Sequence, residues 1–337
     1  MLRLTDSWLW DFWLADDGDR YHLFFLFAAR ALEDESRRHG QAAIGHAVSE
    51  DLWSWEQVGN VVAASEAPAF DDVATWTGSV VRGDDGRWWL FYTGVTMVDG
   101  KFLQTIGAAT STDLEVWRKD PGSPLVTADD RWYERLGGGD WHEEAWRDPW
   151  VLRDPSGDGW HMLITARANN GPDDDRGVIG HAVSPDLHRW AVRPPLSRPG
   201  SGFGHIECPQ LATVEDRQVM LFSCLDPQFS AARRGTGAAG GILYVPVESP
   251  TGPFDIAAAS PLTSDAFYCG RIVQDRSGQA VLLAFHYFDQ TRQFQGELSD
   301  PMPVSWENGE LKVMTGTGRR RGRPRRGWPG GGRGGAR

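Results

Sequence analysis

Three segments share one pattern: IGHAVSEDLWSWE at residues 44–56, IGAATSTDLEVWRK at 106–119 and IGHAVSPDLHRWAV at 179–192. Each fits I-G-x-A-x-S-x-D-L-x-x-W. This pattern predicts a strand of small residues, a turn at the Asp-Leu pair and a short strand that follows a Trp. Repetition of one unit along a chain is typical of modular folds. The recurrence also indicates that Asp51, Asp113 and Asp186 are structural turn residues and not catalytic ones.

A hairpin pattern accompanies these repeats and continues beyond them. Each copy has an apolar strand, a Gly- or Asp-containing turn and a second apolar strand, as in VVRGDDGRWWLFYTG at residues 80–94. The five hairpins begin near residues 12, 79, 150, 210 and 272. Five modules of about four short strands predict an all-β fold, a five-bladed β-propeller whose blades surround a central channel. A β-sandwich is the alternative, and the repeated modules argue against it.

The modules fill residues 1–315 without a linker, so we expect this region to be one catalytic domain. Residues 316–337 differ in composition, because they contain eight arginines and no acid. We expect this Arg/Gly-rich tail to be a disordered, dispensable extension. An RNA-binding arm is the alternative interpretation.

Bulk composition excludes several classes of protein. The formal net charge of −12 argues against a nucleic-acid partner, and no apolar run reaches the length of a membrane span. The N-terminal residues do not resemble a signal peptide, so a cytoplasmic location is expected. The three cysteines lack the spacing of a disulfide framework or zinc site and are expected to be reduced core residues. Seventeen tryptophans favour a carbohydrate ligand, and no cofactor is expected.

Acids precede three of the five hairpins, at positions that we interpret as equivalent: Asp11, Asp148 and Glu207. In a propeller the innermost strands all start at one end of the channel, so these acids are predicted to converge there. Each acid has apolar or aromatic neighbours in sequence. Such a carboxyl is costly to bury unless it is paired, hydrogen-bonded or protonated, which indicates a functional site.

The motifs around these acids resemble those of a known group. Arg147-Asp148-Pro149 and Glu207-Cys208-Pro209 resemble the R-D-P and E-C-P motifs of glycoside hydrolase family 32, the invertases, inulinases and levanases. Trp10-Asp11-Phe12-Trp13 departs from the usual N-D-P-N-G and is similar to the W-D-S-W of the sister family 68, the levansucrases. Trp76-Thr77-Gly78-Ser79 likewise resembles W-S-G-S of that clan. The resemblance covers about residues 8–313 and implies a propeller without the C-terminal β-sandwich that family 32 enzymes usually add.

The resemblance implies a reaction and a role for each acid. Asp11 would be the nucleophile, Asp148 the transition-state stabiliser and Glu207 the acid/base of a retaining hydrolase. It would cleave β-fructofuranosides such as sucrose, short fructo-oligosaccharides or fructans through a covalent fructosyl-enzyme. We expect like charge from Asp11 and Asp148 to raise the pKa of Glu207, as a general acid requires.

Further side chains are predicted to bind the substrate: Trp10, Trp76, Thr77, Arg147 and Tyr268. Trp10 and Trp76 would either stack on the fructosyl ring or only seal the channel. Asp11 as a turn cap, and Arg147 with Asp148 as a structural ion pair, are the alternatives without catalysis. Trp10 and Leu26 stand where family 32 has an Asn and a Gln that hold fructose hydroxyls, so the sugar stays open. No metal site is predicted.

Three other functions remain as alternatives. A fructosyltransferase would use the same intermediate with a sugar as acceptor. An arabinosidase or xylosidase similar to family 43 also uses three carboxylates, but the E-C-P and W-x-G-S motifs argue against it. A non-catalytic sugar-binding propeller would not need all three acids. The sequence leaves the oligomeric state and the substrate's chain length undetermined.

Overall fold

The computed structural model describes residues 1–314, which form five antiparallel sheets. Blade 1 contains β1 (Ser7–Asp16), β2 (Tyr21–Ala29), β3 (Ala43–Ser49) and β4 (Glu56–Val62). Blade 2 contains β5 (Ala74–Arg82), β6 (Trp88–Val98), β7 (Lys101–Ser111) and β8 (Arg118–Lys119). Blade 3 contains β9 (Trp146–Arg153), β10 (Trp160–Arg167), β11 (Gly177–Ser184) and β12 (Ala191–Arg193).

The last two blades complete the ring. Blade 4 contains β13 (Glu207–Val214), β14 (Arg217–Cys224), β15 (Gly241–Val247) and β16 (Ser260–Pro261). Blade 5 contains β17 (Phe267–Gln274), β18 (Ala280–Phe288), β19 (Phe294–Leu298), β20 (Met302–Glu307) and β21 (Glu310–Val313). Both β19 and β20 pair with β18, and a bridge between Leu2 and Leu298 joins blade 5 to the start of the chain. The predicted five-bladed β-propeller is confirmed.

Helical structure in the described residues is limited to short segments. They are the α-helix Ala231–Arg234 and the 3-10 helices Arg30–Leu32, Glu35–Gln41, Asp173–Asp175, Asp226–Gln228 and Ile256–Ala258. None of the helices within residues 1–314 has the length and apolar character needed to cross a bilayer. The predicted domain boundary at residue 315 and the Arg/Gly-rich tail at 316–337 lie outside the described residues.

The repeated Ser-x-Asp-Leu-x-x-Trp sequence forms the same turn in blades 1, 2 and 3. In blade 2 the hydroxyl of Ser111 accepts hydrogen bonds from the N–H groups of Asp113 and Leu114. The Asp113 carboxylate accepts two more from the N–H groups of the next turn residues, and the Trp117 indole donates to the Leu114 carbonyl. Serine and aspartate are therefore required to satisfy backbone donors, which confirms the structural interpretation of this motif.

Apolar contacts between neighbouring blades form the core. Middle strands such as β14 have an unbroken apolar centre, residues 219–222, because both faces of each sheet are covered there. Val219 and Leu221 pack toward blade 5, whereas Met220 and Phe222 pack toward blade 3. Five such clusters fill the five junctions between blades. Successive side chains of a strand thus point to opposite faces of the sheet, so each blade packs against both of its neighbours and the ring closes.

Every innermost strand has a β-bulge near its start, where two residues face one on the second strand. The first residue of each bulge is Asp11, Thr77, Asp148, Cys208 or Cys269. Asp148, Cys208 and Cys269 adopt positive φ angles of 53°, 55° and 46°. Such angles are unfavourable for residues with a side chain, so neighbouring groups must hold them. The bulges bend all five strands at one end of the channel.

Candidate active site

A cavity of about 340 Å³ lies where the bulged strands converge, and all five blades contribute to its lining. It contains the three predicted catalytic acids and the five predicted substrate-binding side chains. These eight residues are Trp10, Asp11, Trp76, Thr77, Arg147, Asp148, Glu207 and Tyr268. Strands far apart in sequence thus bring the whole predicted set to one place.

The three acids are not at equivalent positions, which corrects the sequence interpretation. Asp11 and Asp148 are the first residues of their bulges, whereas Glu207 is the residue before a bulge and pairs with Ser223. The positions equivalent to Glu207 in the other blades are Trp10, Trp76, Arg147 and Tyr268. Glu207 therefore lies between Arg147 of blade 3 and Tyr268 of blade 5 in the ring.

Asp11 is held at the boundary between blades 1 and 2. Its Oδ2 accepts a hydrogen bond of 3.2 Å from the hydroxyl of Thr77. Burial raises the pKa of Asp11 to about 7, and the charges of Asp148 and Glu207 act in the same direction. The guanidinium of Arg38 and the Thr77 hydroxyl oppose this shift only in part. Asp11 consequently holds a proton up to near-neutral pH when the site is empty.

Asp148 is fixed by groups from three blades. Its Oδ2 accepts hydrogen bonds from the Thr165 hydroxyl at 2.8 Å and from the Cys208 N–H at 3.0 Å. Its own N–H donates to the Thr93 hydroxyl at 3.1 Å, which supports the positive φ angle. Burial raises its pKa, although the charge of Arg147 opposes the shift. These bonds leave Oδ1 without a hydrogen bond from residues 1–314, so this oxygen is available to a ligand.

Glu207 has two direct partners in the ring. Its Oε1 accepts from Arg147 at 2.9 Å and its Oε2 accepts from the Tyr268 hydroxyl at 2.5 Å. Burial alone would raise the pKa of Glu207, but the charge of Arg147 and these hydrogen bonds lower it to about 2. The predicted rise in the pKa of Glu207 is therefore wrong for the empty site, because direct contacts outweigh the like charge of the other acids.

Arg147 connects Glu207 to a buried polar network. Its Nη1 donates to Gln104 and Glu143, each at 2.9 Å, and its Nη2 is also 2.5 Å from Nε2 of His205. Gln104 in turn donates to Glu143 at 2.8 Å. Arg147 is only 5% exposed, so these acceptors compensate the cost of burying its charge. The guanidinium is thereby fixed beside the carboxylate of Glu207.

Comparison with known proteins identifies the family of this chain. A family model described as the N-terminal domain of glycosyl hydrolases family 32 matches residues 14–307. The chain belongs to this family. The sequence-based resemblance to family 32 is thus confirmed over most of the chain.

Individual relatives of this family 32 chain are distant. It is similar to the insoluble β-fructofuranosidase isoenzyme CWINV6 of Arabidopsis thaliana, with 26% identity over 200 residues, which are 58% of this chain and 33% of that protein. An extracellular sucrase of Zymomonas mobilis is 25% identical over 234 residues, 57% of this chain and 55% of the sucrase. The chain thus spans about a third to a half of the length of these relatives.

Among solved structures, an inulosucrase from Halalkalicoccus jeotgali bound to kestose has the same fold. The TM-score is 0.73 at 20% identity, and the match covers 92% of this chain and 87% of the inulosucrase. At 20% identity this similarity shows a shared fold and nothing more.

The family 32 site also contains side chains that the sequence analysis did not identify. Arg38 and His39 come from the 3-10 helix Glu35–Gln41, and Trp141, His142 and Glu143 from the loop before β9. These segments have no periodicity or motif, so nothing in the sequence predicts their position. His205 and Tyr287 also line the cavity. A weak signal exists for His205, because it lies two residues before Glu207.

One group of described residues has ligand atoms close enough to hold a metal ion. A carboxylate oxygen of Asp11 and the sulfur atoms of Cys208 and Cys269 lie within 4.8 Å of one another. Burial raises the pKa of the Cys208 thiol well above its ordinary value, so this sulfur keeps its proton. Because metals bind the thiolate, an ion at this position would first have to displace that proton.

The raised pKa of Asp11 predicts a pH-dependent stability. A carboxyl whose pKa rises from 3.8 to about 7 on folding binds its proton more tightly when folded. The folded state therefore loses stability as the pH rises through this range, by at most about 4 kcal/mol. Asp11→Asn removes the charge, so we expect this variant to melt several degrees above the wild type at pH 8.

Thermal unfolding of both proteins at pH 4 and pH 8 measures this effect. At pH 4 their melting temperatures should nearly coincide, because Asp11 is protonated in the folded state. An equal difference at both pH values would contradict the shift in the pKa of Asp11.

Proposed function

We propose that this chain is a retaining glycoside hydrolase that cleaves β-fructofuranosides, namely sucrose, short fructo-oligosaccharides or fructans. The observation that carries the proposal is the convergence of Asp11, Asp148 and Glu207 in one cavity of a family 32 chain. Two of its relatives are a β-fructofuranosidase and a sucrase, which supports the same class of substrate.

In the first step a carboxylate oxygen of Asp11 attacks the anomeric carbon of the fructosyl unit. The bond from that carbon to the leaving oxygen breaks, and Glu207 transfers its proton to this oxygen. The product of the step is a fructosyl ester of Asp11. In the second step Glu207 removes a proton from water, the water oxygen attacks the anomeric carbon, and Asp11 departs as a carboxylate.

Asp148 acts through hydrogen bonds with sugar hydroxyls. Its Oδ2 is occupied by Thr165 and Cys208, so Oδ1 is the oxygen that would accept these bonds. Positive charge develops on the ring as the leaving group departs, and the bonds to a buried carboxylate then become stronger. Fixing the carboxylate before the reaction avoids reorganisation at that moment.

The proton distribution has to change when substrate binds. In the empty site the pKa values place the proton on Asp11, whereas the first step needs it on Glu207. A leaving oxygen at Glu207 favours the protonated acid, and an anomeric carbon at Asp11 favours the ionised one. The charges of the two carboxyls interact, so substrate binding can move the proton from Asp11 to Glu207 while the site neither gains nor loses one.

This coupling predicts the basic limb of the pH profile. We expect kcat/KM for sucrose to fall above about pH 7, because the carboxyl group of Asp11 then loses the shared proton in the free enzyme. The profile is measured as initial rates at low sucrose concentration, with stability checked at each pH. A constant kcat/KM up to pH 9 would contradict the shared proton.

A panel of sugars tests the proposed function. The full chain is incubated with sucrose, inulin, levan and aryl arabinosides, and the released sugars are separated by chromatography. Hydrolysis of sucrose yields equal amounts of glucose and fructose, whereas an excess of glucose indicates transfer to a sugar acceptor. Activity on arabinosides alone, or binding without turnover, would contradict the proposal.

A further inference from the structure

The 3-10 helix Glu35–Gln41, between β2 and β3, inserts the imidazole of His39 between two indoles of the cavity. The His39 ring meets Trp10 edge to face, with ring centroids 6.3 Å apart and planes at 75°. It meets Trp76 in the same way at 5.9 Å and 68°. The Trp76 indole N–H also donates to the His39 carbonyl at 2.8 Å. Contacts on both sides therefore fix the position and orientation of this ring.

The nitrogens of this imidazole are unused. Within residues 1–314 neither ring nitrogen of His39 makes a hydrogen bond. Neither nitrogen is fully buried, so both are accessible from the cavity. His205, another histidine of the cavity, differs because its Nε2 contacts Arg147. Burial and the charge of Arg38 lower the pKa of His39 to about 3, so its ring is neutral. A neutral imidazole has one donor and one acceptor nitrogen.

The neighbours of His39 leave it as a polar group on a mostly apolar wall. Leu26 pairs with Trp10 across the hairpin, and Phe102 packs edge to face on Trp76 at 5.4 Å. A furanose ring that bound over Asp11 would place hydroxyl groups against this wall. A hydroxyl both donates and accepts hydrogen bonds, which matches the two nitrogens of a neutral imidazole.

We propose that His39 is a substrate-contact residue whose imidazole binds a hydroxyl of the fructosyl unit. This inference rests on the proposed function, since it requires a fructoside over Asp11. Because the contact is to the fructosyl unit and not to the leaving group, it contributes equally for every fructoside. His39 thereby supplies specificity for the sugar that is transferred to Asp11.

The test compares His39→Phe with the wild type on sucrose and on an aryl β-fructofuranoside. Phenylalanine keeps a flat ring between Trp10 and Trp76 but lacks the nitrogens, and the backbone bond to Trp76 is unaffected. We expect kcat/KM to fall about 10- to 100-fold on both substrates, as for a lost hydrogen bond to a sugar. His39→Asn, which keeps a donor and an acceptor, should recover part of this loss.

His188→Phe is the matched control. It is the same substitution at a histidine of blade 3 that is half exposed and lies outside the cavity. It should leave kcat/KM unchanged. Wild-type kinetics in His39→Phe, or a loss on only one substrate, would overturn the inference.

If the wild type turns over no fructoside, the proposed function fails. Calorimetric titration of sucrose into Asp11→Ala, with and without His39→Phe, then decides the contact: equal affinities would overturn it.

Discussion

Asp11→Ala is expected to lose turnover of sucrose by about 10⁴-fold or more while it keeps the fold. Without this carboxylate the proposed fructosyl ester cannot form, so double displacement is blocked at its first step. Asp11 lies at a β-bulge whose backbone pairing does not depend on its carboxylate, so the blade should remain intact. Initial rates with sucrose and a circular dichroism spectrum measure the two effects.

Thr77→Val is the matched comparison for Asp11→Ala. It removes the 3.2 Å hydrogen bond to Asp11 but keeps the nucleophile, so the loss should be far smaller. Added azide provides a second readout, because a small anion can enter the space that Ala leaves and attack an activated aryl fructoside directly. A single displacement gives an inverted fructosyl azide. A loss of less than about 10-fold in Asp11→Ala would assign the nucleophile to another group.

Glu207→Ala is expected to have the second-largest effect, and the effect should depend on the leaving group. Turnover of sucrose should fall by about 10²- to 10⁴-fold, because the leaving oxygen needs a proton. An aryl fructoside whose leaving group departs unaided should retain its first step. Azide should then accelerate release from the intermediate and give a fructosyl azide with retained configuration. Rates on both substrates, with product configuration from NMR, test this pattern.

Tyr268→Phe is the control for Glu207→Ala. It removes the 2.5 Å hydrogen bond to Glu207 but keeps the carboxyl and its contact with Arg147. We expect a small loss on sucrose and no rescue by azide. Equal losses of Glu207→Ala on good and poor leaving groups, without rescue, would assign the acid/base role elsewhere.

The sequence predicted most of the fold because its signals are local. Apolar runs on either side of polar turns predicted the five hairpins. The Ser-x-Asp-Leu turns predicted where the third strand of blades 1, 2 and 3 ends. The bulges could not be predicted in this way, since an extra residue becomes visible only against its partner strand. For this reason Glu207 was predicted to occupy the same strand position as Asp11, although it occupies the position of Trp10.

The site was predicted where a motif lies at the start of an innermost strand. All eight residues identified in this way line the cavity. Arg38 and His39 were missed because they reach the cavity from a 3-10 helix whose sequence has no apolar periodicity. The expected rise in the pKa of Glu207 was wrong because the sequence does not show which opposite charges and hydrogen-bond donors contact this carboxylate. In the fold, Arg147 and Tyr268 contact Glu207 itself.

Trapping the covalent intermediate tests the central claim most directly. Glu207→Ala is mixed with an activated aryl β-fructofuranoside, quenched in acid after one turnover, digested and analysed by mass spectrometry. We predict that the peptide containing Asp11 gains the mass of one anhydrofructosyl group and that fragmentation locates the ester on Asp11. An adduct on another residue, or a burst of aryl alcohol without any adduct, would contradict double displacement through Asp11.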